Sequence, residues 1–311
     1  MQTQDSFILF RSFAVVLRHQ RDVRTYYSRI IASLNGNKMT ENQIRVALMS
    51  NAGGSGKTTL AVNVGYELFS AGFSVCLFGL DPNASLKTFV GLGGENPEPD
   101  QKIDCILEDD FNGAWPLYDC WDKEGIQALL GDESLSELIE RLSTADRKTE
   151  ILRDRLEDYP LPHDYLIFDC PGTIDLAHKM ALTAADFVII PIQPDSKDMM
   201  SAATLLGWVM EKSDKLRLRP APRILGVVPN RVQDRALHRD NLGLTNKPAG
   251  DGFPTLPALL GQIGVHCFDY IKDSAEISNA AAAGMPLRAY RPGHKANQNF
   301  KEIAQALIDV R

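Results

Sequence analysis

From residue 44 onward the chain settles into a regular alternation of apolar runs and amphipathic stretches. Residues 44–49 (IRVALM) are a short apolar run, 57–71 carry apolar residues at helical spacing up to Gly72, and 74–80 (SVCLFGL) are apolar again. Strand, loop, helix and strand in that order make a β-loop-α-β unit. The same criteria predict further strands at 165–168, 187–192 and 224–228, and helices at 135–142, 175–183 and 202–211. Strands alternating with helices imply an α/β fold, a mostly parallel twisted sheet flanked by helices on both faces. Glycine, proline and asparagine cluster at 91–100 and 246–257, which are read as loops, the second a candidate for mobility. No internal repeat is visible.

Ahead of the alternation, Leu9, Phe13, Val16 and Leu17, then Tyr26, Ile30 and Ile31, recur at helical spacing and predict one or two amphipathic helices. The turn-rich NGNKMTEN at 35–42 joins them to the alternating region. The domain reading is therefore a basic helical extension over 1–42 and one large domain over 43–311.

With 311 residues, 44% hydrophobic and 23% charged, the chain can bury a sizeable core and is not a mostly disordered polymer. No apolar run approaches the roughly 20 residues of a membrane-spanning helix. The apolar start is broken by Arg11 and followed by no small-residue cleavage site, so it is read as mature chain. Cys76, Cys105, Cys120, Cys170 and Cys267 show no metal-like pairing, and reduced thiols in the cytoplasm are expected. A net charge of −7 argues against nucleic acid covering the whole surface, because duplex binding is largely phosphate neutralisation. The charge is nevertheless segregated. Arg11, Arg18, Arg21, Arg24, Arg29 and Lys38 face only Asp5, Asp22 and Glu41 near the front, whereas 108–158 is strongly acidic, so a local basic face stays open.

The chemistry concentrates in SNAGGSGKTTL, residues 50–60, which sits between the first strand and the first helix. The phosphate-loop pattern G-x-x-x-x-G-K-S/T wants glycine where this chain has Asn51, but Gly56, Lys57 and Thr58 follow in register. Gly53, Gly54 and Gly56 free the backbone to turn N–H groups inward around Ser55. The helix start at Lys57, Thr58 and Thr59 adds its dipole, and Lys57 adds a point charge for the terminal phosphates. Thr58 is placed to ligate Mg²⁺. Two aspartates, Asp81 in VCLFGLDPN and Asp169 in YLIFDCPG, close apolar strands and reach the same sheet edge, as carboxylates that help hold the metal should. Either alone reads equally as a strand-end turn.

The order AGGSGKTT, LDPNASL, DYLIFDCPG, AADFVIIPIQPD, GVVPNRV and AAAAGMPLRAYRP resembles the ParA/MinD family of deviant Walker ATPases, over residues 44–310. The basic front resembles the extensions of the plasmid-type partition ATPases. The resemblance implies a P-loop NTPase fold, ATP and Mg²⁺ as cofactors, and an ATP sandwich homodimer. It further implies nonspecific DNA and a ParB-like adaptor as partners, and a cytoplasmic, nucleoid-associated location. Lys57 would contact the β- and γ-phosphates and Thr58 the metal. Asp81 matches the switch aspartate that positions the attacking water, and Asp169 the Walker B carboxylate. Asn230 matches an adenine-reading asparagine, although in VPNR it reads equally as a turn residue. Pro286 and Leu287 match the loop that packs on the base. Lys272, Arg288, Arg291, Lys295 and Lys301 are the candidate DNA contacts, against the alternative of a solvated charged face.

Three positions depart from the family pattern. Its signature lysine is Ala52, the first aspartate of D-x-D-P is Gly79, and D-C-P-P ends in Gly172. The first departure removes a cation that in the family crosses the dimer interface, which puts fast hydrolysis in doubt. Lys179 and Lys197 are candidate substitutes, and a carboxysome-positioning subset of the family is similar in lacking that lysine. The expectation is an ATP-driven positioning switch for a plasmid or a protein organelle. The alternatives are a pseudo-ATPase that only holds nucleotide, a MinD-like membrane switch, and a metabolic ATP-dependent enzyme, for which no second substrate constellation is visible.

Overall fold

The structure is a computed structural model and describes residues 43–142, 144, 146–245 and 254–311. The helices expected within 1–42 and most of the loop expected at 246–257 lie outside the described residues. Seven strands form one sheet in the order β3-β4-β2-β5-β1-β6-β7. These are β1 (Ile44–Leu48), β2 (Val75–Gly79), β3 (Leu117–Asp119), β4 (Ile126–Leu129), β5 (Tyr165–Asp169), β6 (Phe187–Ile192) and β7 (Arg223–Pro229). All neighbours are parallel except β3, which pairs antiparallel with β4 at the edge.

The strands alternate their side chains between two apolar layers. Ile44, Val46 and Leu48 of β1, Val75 and Leu77 of β2, and Tyr165 and Ile167 of β5 enter one layer. Ala47, Cys76, Phe78, Leu166 and Phe168 enter the other. Both sets are apolar because helices cover both faces, which is why the strands read as continuous hydrophobic runs. On the first face lie α1 (Lys57–Ser70) and the last helix, α11 (Ala296–Asp309), with Leu60, Val64 and Leu68 against Phe300, Ile303 and Leu307. On the second lie α5 (Leu176–Ala184) and α6 (Ser196–Lys215), through Met180, Leu182, Leu205 and Val209.

The remaining helices are α2 (Ser85–Phe89), α3 (Ser134–Leu142), α4 (Ile151–Asp158), α7 (Ala236–Leu242), α8 (Leu256–Gln262), α9 (Ala275–Ala282) and α10 (Leu287–Tyr290). The five strands and four helices read from the sequence are present, with α6 longer at both ends than the expected 202–211. Strands β3 and β4 were not expected. They span three and four residues, too short for an alternation to register.

Because β1 lies between β5 and β6, the chain leaves β1 with β2 and β5 on one side and β6 and β7 on the other. Loops that follow β1, β2, β5 and β7 therefore meet at one edge, where α/β sheets bind ligands. Gly79 at the end of β2 lies almost backbone to backbone against Gly131, two residues after β4. A Cβ built on Gly131 would lie 2.3 Å from the Gly79 carbonyl oxygen, and one built on Gly79 would lie 3.3 Å from the Gly131 nitrogen and from Leu86. A side chain at 79 would crowd the backbone after β4 and the Leu86 side chain by a few tenths of an ångström. Gly131→Ala is expected to lower unfolding stability by about 1–3 kcal/mol through overpacking. Urea denaturation checks it, with Gly94→Ala, whose Cβ would meet nothing within 4 Å, as the control expected to stay unchanged.

Candidate nucleotide site

The loop after β1 is held by its carbonyl groups. Lys57 Nζ donates to the Ala52 carbonyl (3.4 Å), Arg231 Nη1 to the Gly54 carbonyl (2.9 Å) and Asn230 Nδ2 to the Ser55 carbonyl (2.9 Å). A trans peptide points its N–H opposite to its C=O, so carbonyls anchored outward turn the following N–H groups toward the other side. This is the geometry of an anion cradle at a helix N-terminus. Gly56 is the N-cap of α1 at φ 92°, and a Cβ there would lie 2.1 Å from Asn230 Nδ2, so only glycine allows the asparagine to reach the loop. Lys57 is 6% exposed, which keeps its charge inside the site.

Parallel pairing sets Leu48 of β1 and Gly79 of β2 level with Asp169 at the end of β5. Asp169 is 1% exposed, and its carboxylate oxygens complete no hydrogen bond of ordinary geometry among the described residues, the Thr58 hydroxyl being the donor beside them. Burial pushes its pKa up to about 7, while the neighbouring Thr58 hydroxyl and Lys57 pull it back and Asp81 adds to the rise. Buried carboxylate oxygens beside a threonine hydroxyl suit a hydrated divalent cation, with the carboxylate acting through its water shell. No group of three or more His, Cys, Asp or Glu among the described residues could hold a metal by itself, so phosphate oxygens would have to complete the coordination.

Asp81 follows β2 at the same edge, half-buried, and its Oδ1 accepts from the backbone N–H (2.9 Å) and side-chain amide (2.8 Å) of Asn83. A cavity of about 580 Å³ runs from Gly53, Gly54, Gly56, Lys57, Thr58 and Thr59 past Asp81 and Gly172 to one side of α9. Its apolar wall is Phe89, Ile277, Ala281 and Ala282. Ser55 is fully buried under the loop, its hydroxyl without a partner among the described residues.

The structure places the other expected site residues as follows. Pro286 and Leu287 do not line the cavity. Pro286 caps α10, and Leu287 is fully buried under α1 with its N–H on Asn63 Oδ1 (2.7 Å), because the chain turns at Gly284 and carries α10 beneath α1. Asn230 lines the cavity but is buried, with its amide nitrogen on the loop and its Oδ1 accepting from Arg231 N–H (2.9 Å). Of the basic set, Lys272 lines the cavity, Arg288 pairs with Glu67 (2.5 Å) and Arg291 with Glu276 (3.6 Å), while Lys295 and Lys301 stand exposed around α11. The five do not form one uncompensated patch. Lys179 is half-buried on α5, and Lys197 is exposed at the start of α6, where it lines a second cavity of about 480 Å³ with Asn51. Arg231, Phe89 and Ile277 were missed. Arg231 stands next to Asn230 in VPNR, whereas nothing in sequence spacing brings Phe89 and Ile277 together.

An AAA domain family model matches residues 43–219. The chromosome partitioning protein ParA of Caulobacter vibrioides is 28% identical over 87% of this chain and 96% of its own length. The maintenance of carboxysome distribution protein A of Synechococcus elongatus is 27% identical over 70% of this chain and 85% of its own. The apo structure of McdA from Cyanothece superposes with a TM-score of 0.69 at 25% identity, covering 85% of this chain and 99% of that one. The chain belongs to the ParA/MinD family of deviant Walker ATPases. In this chain the Ala52 carbonyl takes a hydrogen bond from Lys57. At Gly172 a Cβ would lie 3.5 Å from Gly53 Cα, ordinary contact, so nothing steric demands the third departure.

The Asp169 carboxyl carries a stability signature. Its folded pKa, about 7, lies above the ordinary 3.8, so the folded protein holds a proton that the unfolded chain has released between those values. Stability from this group is therefore present below about pH 4 and lost as pH rises through 7. Asp169→Asn, without nucleotide or metal, is expected to melt several degrees higher at pH 8 and to flatten the pH dependence between 4 and 7. A thermal melt series across pH checks it.

Proposed function

We propose that the chain is an ATP-dependent dimerising switch that binds DNA without sequence preference and, with an adaptor protein, partitions or positions a cargo. Mg·ATP occupies the cavity beneath the loop, with Lys57 on the terminal phosphates, Thr58 on the metal, Asp169 behind the metal's water shell and Asp81 orienting the attacking water. The observation that carries this reading is the braced loop beside the buried Asp169 carboxylate, which has only the Thr58 hydroxyl and Lys57 to offset its burial. The partition and carboxysome-distribution relatives support the positioning task, since both match most of the chain. No helix of the described residues is long and apolar enough to cross a membrane. The apolar face of α11, which a MinD-like membrane switch would need free, is buried against α1.

Lys197 is the lysine that takes over from Ala52. Its exposure beside Asn51, on the open side of the loop, supports a reach across the dimer to the partner's nucleotide. A nucleotide-holding pseudo-ATPase is the second reading, favoured by Ala52 itself.

Two measurements separate these readings. Anisotropy of labelled DNA, with sizing, is expected to give dimers and salt-sensitive, sequence-indifferent binding with ATP but not ADP. Unchanged mass and affinity across nucleotide states would remove the switch. Lys197→Ala is expected to lower DNA- and adaptor-stimulated turnover about a hundredfold, the usual loss of one transition-state cation or donor. Wild-type turnover no faster than that of Asp81→Ala would establish the pseudo-ATPase instead.

A further inference from the structure

Arg231 is a cation built onto the phosphate loop from within the same chain. Its Nη1 donates to the Gly54 carbonyl (2.9 Å), and the guanidinium is held from behind by Asp273 (3.8 Å), which also accepts from Gln233 Nε2 (3.1 Å). Asp273 is itself fixed to the end of β7, its N–H donating to the Val232 carbonyl (2.9 Å). Arg231 stands at φ 51°, a left-handed conformation that costs a non-glycine residue about 1 kcal/mol or more. The Asn230 Oδ1, accepting the Arg231 N–H (2.9 Å), holds that conformation in place. The side chain is 48% exposed and lines the cavity, so it is not filling a core. A strained backbone, an acidic partner and a half-open side chain together serve one contact, the Gly54 carbonyl.

That contact bears on the anion cradle. The Gly54 carbonyl and the Ser55 N–H belong to one peptide group, so a cationic donor on the oxygen polarises the N–H and fixes its direction. Ser55 lies three residues after Ala52, where the family's lysine is missing. We infer that Arg231 is a positioning residue for nucleotide binding, acting through the Gly54–Ser55 peptide to offset in cis part of the charge lost at Ala52. Gly54 at φ 76° completes the arrangement, because a Cβ there would press on Nη1 at 3.3 Å. Arg231 acts on the loop and so on ATP and ADP alike, whereas Lys197 reaches the partner's nucleotide only in the dimer.

The inference rests on the ATP-site reading and has its own test. Binding of a fluorescent ATP analogue and a fluorescent ADP analogue is measured for the wild type, Arg231→Ala and Arg231→Lys, together with melting temperature with and without nucleotide. The alanine variant is expected to melt like the wild type without nucleotide. It should bind both analogues about ten- to a hundredfold more weakly, the usual range for a charge-assisted hydrogen bond, and lose most of the nucleotide-induced thermal shift. The lysine variant, which keeps the charge but not the fork that meets Gly54 and Asp273 together, should fall between. A wild type that binds with both variants equal to it would overturn the role of Arg231 and leave the ATP site standing. A wild type that binds neither analogue would overturn both. If the alanine variant unfolds, the lysine variant decides by the same measures.

Discussion

Strand β5 lies between β1 and β2 and pairs with both in parallel register, so Leu48, Gly79 and Asp169 end at one level of the sheet. The site depends on that pairing. It buries Asp169 beneath the loop that leaves β1, places Asp81 just beyond β2, and leaves a carboxylate with little but the Thr58 hydroxyl beside it. A buried charge is costly, and this one is tolerated by binding its proton more tightly. A hydrated cation held by phosphate would relieve the same cost, so the site's instability when empty and its affinity when filled have one origin.

The loop itself is a matter of carbonyl anchoring. Three donors, from Lys57, Asn230 and Arg231, fasten three carbonyls, and two of those donors come from the end of β7, far away in sequence. Preorganisation of this kind lowers the ordering cost when an anion arrives. The glycines that this anchoring demands are Gly54 and Gly56, where a side chain would meet Arg231 or Asn230.

Charge compensation limits what the C-terminal face offers DNA. Arg288 and Arg291 are paired within the chain, and Lys272 belongs to the cavity, leaving Lys295 at the start of α11 and Lys301 on its exposed face. Two lysines on one protomer neutralise few phosphates. Sequence-indifferent DNA binding by this chain thus requires either the doubling of sites in a dimer or cations from elsewhere on the surface.

Much of this protein was legible in the sequence. The β1-loop-α1-β2 unit, the strands at 165–168, 187–192 and 224–228, and the order of glycines, Lys57, Thr58, Asp81 and Asp169 are local signals, set by periodicity and by backbone freedom over a few residues. The short strands β3 and β4 carried too few residues to announce themselves. What the tertiary structure alone decided is which distant groups close the site. Asn230 braces the loop, Arg231 reaches Gly54 across 177 positions of sequence, Leu287 goes under α1 rather than over the cavity, and Phe89 and Ile277 line one cavity. Spacing along the chain fixes the faces of a helix or strand, but contacts between elements depend on strand order and register, and these are settled only when the sheet assembles.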